Sequence, residues 1–190
     1  MTDGRDPAAR PDLRALRRRP LFAPLLVPAL GLLLVFGAGY GAWTLQRTTT
    51  VIVVRHAEKV ADGSADPALA PAGAARALRL AGALRDAQVT AIYVTATQRS
   101  QDTAAPLATQ NGVLVTVVDG KDVDALVDRI HREHRGETVL VVGHSNTVGP
   151  IVRALGGVAP ETLDDSDYDE LFVVTEPTFG RSTTLRLREM

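Results

Sequence analysis

The chain of 190 residues contains no cysteine. That absence excludes a disulfide framework, a thiol nucleophile, thiolate-bound zinc, iron–sulfur clusters and a lipid anchor attached through cysteine. It says little about compartment, since many exported proteins also lack disulfides. Aromatic residues are scarce at 4%, and lysines are few. Six of the 21 Lys and Arg fall in the first twenty residues against three of the 22 Asp and Glu, so the rest of the chain is acidic. A basic surface interleaved with aromatics is what nucleic-acid binding requires, and it is missing, so no nucleic-acid partner is expected. Charge itself is absent from Pro20 to Gln46.

That uncharged run, "PLFAPLLVPALGLLLVFGAGYGAWTLQ", is long enough to reach across a bilayer core, for which about 20 apolar residues suffice. Arg5, Arg10, Arg14, Arg17, Arg18 and Arg19 precede it, and such flanking charge favours a cytoplasmic N-terminus. The expected organisation is a basic cytoplasmic tail over 1–20, a single transmembrane signal anchor over 21–45, and a folded domain over 48–190 outside the cytoplasm. A buried globular helix this long and without a polar face would be unusual. A cleaved signal peptide, giving a secreted form, is the stronger alternative. The small residues of "GAGYGAW" suit cleavage, but the run exceeds an ordinary signal-peptide core and shows no clean A-x-A site. "RRRPLF" is only faintly like a twin-arginine signal.

From Thr48 onward, β-branched segments alternate with alanine-rich amphipathic ones. "TVIVV" (50–54), "AIYV" (91–94), "VLVTVV" (113–118) and "TVLVV" (138–142) are short and nearly all apolar, as central parallel strands are. Helices are expected over 71–86, 97–110, 123–135 and 145–155. The first opens with Pro71, a good first-turn residue, and repeats Ala74, Ala77, Leu78, Ala81 and Leu84 at helical spacing. Gly156 and Gly157 end the last. "DELFVVT" and "STTLRLR" read as later strands, the second alternating like an edge strand. Strand and helix in strict alternation predict an α/β fold: a mostly parallel central sheet with helices on both faces, preceded by one N-terminal transmembrane helix. Ligands in such sheets bind beyond the carboxyl ends of the strands.

Charged motifs stand at three of those ends. "RHAE" follows the first strand and carries Arg55 and His56. "VTATQRSQDTA" follows the second and places Arg99 in the first turn of a helix. "GHSNT" follows the fourth, with His144 ahead of a helix start. A lone histidine is more often structural than catalytic, and a lone Arg99 could be a surface charge; four such residues on one predicted sheet edge favour a site.

Together, "VRHAEK", "LAPAGAARA", "TATQRSQDTAAPLA" and "VVGHSNT" resemble the successive motifs of the histidine phosphatase superfamily, in its phosphoglycerate mutase-like branch, over about residues 50–175. The resemblance implies a phosphoglycerate mutase-like fold and hydrolysis of a phosphomonoester, either a small molecule or a phosphoprotein, through a phosphohistidine. His56 would be the nucleophile, and Arg55, Arg99 and His144 would hold the transferring phosphoryl group, with Ser145 beside them. The enzyme class implied is a histidine acid phosphatase-like phosphoric monoester hydrolase.

The chemistry of those side chains agrees with this. A phosphoryl group in transfer spreads negative charge over its oxygens, so the protein contributes mainly positioning and electrostatics. Arginine binds two phosphate oxygens through its planar fork and keeps its proton. At an effective dielectric of about 20, one unit charge about 4 Å away contributes on the order of 4 kcal/mol. A protonated His144 is expected to add to this, as are backbone N–H groups of a helix beginning at Ser145. His56 must stay neutral, with its other ring nitrogen tied to an acceptor. No metal and no cofactor is expected, because the arginines do a cation's work.

The chain departs from the family pattern at Ala70, where threonine is usual, and at Thr95, where serine is usual. The proton donor to the leaving group is open among Asp119, Asp122 and Glu58. His131 and His134 read as a charged helix face. Asp62, Asp66 and "DDSDYDE" (164–170) lack Ca-loop spacing and read as solvated loops. Gly73 and Gly143 read as tight-turn residues. Two other chemistries fail on the sequence. "GHSNT" lacks the second glycine of a nucleophile elbow, and no histidine follows it. "HAE" lacks the cysteine ligands of a zinc deaminase. A membrane-tethered phosphate-binding module without turnover and a mutase-type phosphotransferase are the remaining alternatives.

Overall fold

The β-branched runs become strands because their side chains are buried on both faces, where Val, Ile and Thr pack well against a pleated surface. A computed structural model of the protein describes residues 23–45 and 47–188. The basic tail expected over 1–20 and the first two residues of the expected anchor lie outside the described residues. The chain divides into two units, Met1–Thr44 and Leu45–Met190, each taken by itself.

In the first unit, α1 (Ala23–Leu45) is an uncharged helix containing Pro28. Its described side chains expose Leu30, Leu32, Leu33, Leu34, Val35 and Phe36. Among the described residues no helix is long and apolar enough to cross a membrane. The transmembrane helix expected over 21–45 is therefore not supported by the described structure.

In the second unit the elements follow as β1 (Thr48–Arg55), α2 (Pro71–Ala83), β2 (Val89–Thr95), α3 (Gln98–Asn111), β3 (Val115–Val118), α4 (Val123–Glu133), β4 (Thr138–Gly143), α5 (Val148–Ala154), β5 (Glu170–Pro177) and β6 (Thr183–Arg188). They build one sheet in the order β3-β2-β4-β1-β5-β6. The first four strands are parallel; β5 adds antiparallel to β1, and β6 adds antiparallel to β5. This is the mixed α/β architecture expected, a mostly parallel sheet with helices on both faces.

Alternation along the strands sorts the core into two layers. Val51, Val53, Val139 and Val141 pack with Leu126 and Ile130 of α4 and with Ile151 and Val152 of α5. Ile52, Val54, Leu140 and Val142 face the other way, onto Leu80 of α2 and Leu107 of α3. Each such fully buried aliphatic side chain contributes roughly 1.5–3 kcal/mol.

Two local expectations change. The helix after β4 begins at Val148, not Ser145. The Thr147 hydroxyl accepts the His144 N–H at 2.8 Å, and the His144 carbonyl takes the amides of Thr147 and Val148. A side chain that offers the backbone this alternative delays the helix, so residues 144–147 form a turn. Nor is Gly73 a turn residue. It sits in α2, where a Cβ would strike the Glu58 backbone, so it serves the close approach of helix to loop.

Candidate functional site

Arg55 ends β1 and pairs across the sheet with Gly143, the last residue of β4, while Val94 of β2 pairs with Val142. The three adjacent parallel strands therefore deliver their following residues to one edge. His56 extends the pairing, its N–H donating to the Gly143 carbonyl at 3.0 Å.

The His56 side chain is 4% exposed. Its Nδ1 lies 2.8 Å from the Ala57 carbonyl. A carbonyl only accepts, so Nδ1 carries the proton and Nε2 keeps its lone pair. Arg99 Nε donates to that Nε2 at 3.2 Å. Burial pushes the His56 pKa down to about 4, partly offset by the Ala57 carbonyl, and the charges of Arg99 and Arg55 push the same way as burial.

The His144 ring stands edge-on to His56, with centroids 5.2 Å apart. Its Nε2 is 2.9 Å from Thr95 Oγ1, which also bonds Ser100 Oγ at 2.8 Å. Burial lowers its pKa, and Arg99 and Arg55 lower it further, against the raising influence of Asp66. The protonated His144 expected from sequence is therefore disfavoured by its surroundings. Its proton would have to arrive with an anion.

Arg99 is bound at both ends of its guanidinium, by Nε to His56 and by Nη1 to Asp66 Oδ1 at 3.3 Å. Thr103, one turn along α3, donates to the Arg99 carbonyl at 2.7 Å and accepts the Ala57 N–H at 3.0 Å, fastening the turn after His56 to this helix. Arg55 is 6% exposed. Its Nη1 donates to the carbonyls of Asp164 (2.8 Å) and Asp167 (3.3 Å), Nη2 reaches Asp165 Oδ1 at 3.4 Å, and its carbon lies 4.2 Å from the Tyr168 ring centroid. Thus its charge acts on both imidazoles, but these donors brace the 164–168 loop. Its Nε has no hydrogen-bond partner among the described residues. Tyr168 in turn lies 6.0 Å from His56, ring to ring. Ser145 Oγ is 3.5 Å from Asp165 Oδ1.

The three proton-donor candidates are engaged elsewhere. Glu58 is gripped by Arg76, with contacts of 2.8–3.1 Å, and that pairing holds its carboxyl below the usual range. Asp119 accepts the Lys121 N–H, and Asp122 caps α4 through the Ala125 N–H. The carboxylate that does reach the cluster is Asp66, which binds Arg99 and raises the His144 pKa; it was read from sequence as part of a solvated loop. Its D-P turn carried no signal of that contact. Thr95, Thr103 and Tyr168 were likewise not singled out as site residues. Among the described residues no group of three or more His, Asp or Glu is placed to hold a metal ion.

A buried, neutral imidazole with a fixed tautomer, ringed by guanidiniums at a strand end, is equipped to attack an electrophile that carries negative oxygens. Residues 51–122 match the model of the histidine phosphatase superfamily, branch 1. The match bears out the resemblance over "VRHAEK", "LAPAGAARA" and "TATQRSQDTAAPLA"; "VVGHSNT" lies beyond it. Among solved structures, the chain is similar to the protein histidine phosphatase SixA complexed with tungstate, at 19% identity, covering 73% of this chain and 96% of that one with a TM-score of 0.60. It is similar to the α-ribazole phosphatase from Shigella flexneri at 14% identity, covering 74% and 96% with a TM-score of 0.58. A mycobacterial glucosyl-3-phosphoglycerate phosphatase matches at 16% identity, covering 68% and 91% with a TM-score of 0.53. At these identities the structures establish the shared fold. No curated protein sequence matches the chain.

Proposed function

We propose that the protein is a phosphatase that hydrolyses a phosphomonoester, small molecule or phosphoprotein, through a phosphoryl group carried on His56. The observation that carries this reading is the state of His56. Its proton is held on Nδ1 by the Ala57 carbonyl, and its Nε2 lone pair faces Arg99 at 3.2 Å. The family match and the phosphatases among the structural relatives support it. So does the tungstate in one of them, a tetrahedral oxyanion like phosphate.

In the first step His56 Nε2 attacks phosphorus and the P–O bond to the leaving group breaks, with a proton delivered to the leaving oxygen. Water then attacks phosphorus, loses a proton, and releases His56 and inorganic phosphate. Arg99 stabilises charge on the transferring oxygens, Arg55 adds its field, and His144 gains a proton as the dianion raises its basicity.

Phosphate release by the purified protein tests the reading. Turnover should vanish in His56→Ala, and acid-labile phosphate should be trapped on His56. Binding without release would instead describe a phosphate-binding module, and label on Ser145 would overturn the roles assigned. The membrane tether is a separate proposal resting on the uncharged run over 20–46 and the arginines before it. Extraction of membranes at alkaline pH, which leaves spanning proteins behind and strips peripheral ones, tests it.

A further inference from the structure

Arg99 bridges two groups that a substrate must separate. Its Nε points at the His56 lone pair, while its Nη1 is bound by Asp66. The same carboxylate also takes the backbone N–H of Gln98, the first residue of α3, at 3.1 and 3.0 Å through its two oxygens. A guanidinium edge and an N–H at a helix start, both turned on two oxygens of one anion, is the donor set that receives a phosphoryl group. Asp66 also acts on His144, raising its pKa against the arginines. A carboxylate of the chain therefore occupies donors that a phosphoryl group approaching His56 would use.

The loop carrying Asp66 is built to release it. Its base is pinned by Val60 N–H to Ala68 O at 3.0 Å, Ala70 N–H to Glu58 O at 2.8 Å, and the Lys59–Leu69 bridge. Between these, residues 61–66 are exposed, and the hydrogen bonds at Ser64 N–H and Asp66 N–H are local to the loop. The Asp66 carboxylate supplies its bonds to α3.

On the phosphatase reading, we propose that Asp66 is a positioning residue that acts through Arg99. It holds the guanidinium across His56 as a stand-in for a phosphoryl oxygen. When the substrate's phosphoryl group takes those donors, the 61–66 loop tip, ahead of the buried Pro67, is set free.

Hydrogen exchange on the full chain in detergent, with and without inorganic phosphate, tests this together with kinetics of substitutions. Phosphate should protect residues 95–100 yet raise exchange across 61–66. Asp66→Asn should start with a loose loop, bind phosphate several-fold more tightly, and lower KM by a similar factor with little change in kcat. Asp66→Glu should restore wild-type behaviour. Asp62→Asn makes the same charge change in the same loop without touching Arg99, and should leave phosphate affinity unchanged. The inference falls if phosphate protects the loop, if Asp66→Asn binds phosphate no more tightly, or if Asp62→Asn gives the same gain. If wild-type protein neither binds phosphate nor releases it from any substrate, the phosphatase reading fails and takes this inference with it. Turnover with label on His56 but no effect at Asp66 overturns the inference alone.

Discussion

The chain has four histidines, and the fold treats them as two unlike pairs. His56 and His144 lie at the carboxyl ends of β1 and β4 among arginines. His131 and His134 lie on and just after α4, near the opposite end of the sheet, and each meets a carboxylate. His131 Nε2 is 3.0 Å from Glu176 Oε1. His134 joins Tyr93 Oη to Glu137 Oε2, at 2.8 Å on each side. A carboxylate can only accept, so it turns the imidazole facing it into a donor that ties elements together. Burial, helped by guanidiniums that can only donate, keeps His56 neutral, with its Nε2 lone pair turned to Arg99. Identical side chains thus become a clamp or, on the proposed function, a nucleophile according to the burial and charge around them.

The largest expected effect separates the pairs directly. His56→Ala should lower phosphate release by roughly 10⁴-fold or more, as loss of a nucleophile does, while His131→Ala leaves kcat unchanged. Comparable losses from both would erase the distinction. Next, Arg99→Lys keeps the charge but loses the fork that reaches His56 and Asp66 together. A fall in kcat/KM of roughly 10²-fold is expected, and full activity would show that charge alone suffices.

The pH dependence sharpens the comparison further. The folded-state pKa of His56 is lowered to about 4 from 6.5. His56 is then neutral and competent well below pH 6.5, so the acid limb that it contributes to single-turnover kcat/KM should lie near pH 4. Between those values the unfolded chain binds the proton that the folded one refuses. Stability due to His56 is therefore present above pH 6.5 and lost as pH falls toward 4. Denaturant midpoints measured from pH 7 to 4 should decline less steeply in His56→Ala. The smallest effect belongs to the clamp. His134→Ala leaves the Tyr93 hydroxyl without this partner and should lower unfolding free energy by about 1–3 kcal/mol, with activity per folded molecule unchanged.

Particular residues show how much was readable in one dimension. The Val and Ile runs marked β1, β2 and β4 because burial on both faces leaves little polar alternation to confuse them, while β3, partly exposed at the sheet edge, was marked by its β-branched residues alone. The order of strands and helices was enough to predict a mostly parallel sheet whose strand ends gather Arg55, His56, Arg99 and His144. The start of α5 was misplaced because the Thr147 hydroxyl takes the His144 amide and closes residues 144–147 into a turn, a contact that helical spacing does not display. The acidic run at 164–168 read as solvated, yet its backbone carbonyls hold Arg55, and a sequence displays side chains rather than carbonyl directions. Glu58 stood next to the histidine motif in sequence, but Arg76 of α2 binds it.

By itself, the sequence determined the alternation of elements, and with it that two imidazoles and two guanidiniums would reach one edge of a sheet, because buried periodicity and parallel connection leave few other topologies. Only the tertiary structure decided which groups set their charge and orientation. The Ala57 carbonyl at His56, the Thr95 hydroxyl at His144, the Asp66 carboxylate at Arg99 and the 164–167 carbonyls at Arg55 are contacts of a few ångströms. Except at Ala57, next to His56, each joins residues tens of positions apart in the chain, a distance over which local propensity carries no information.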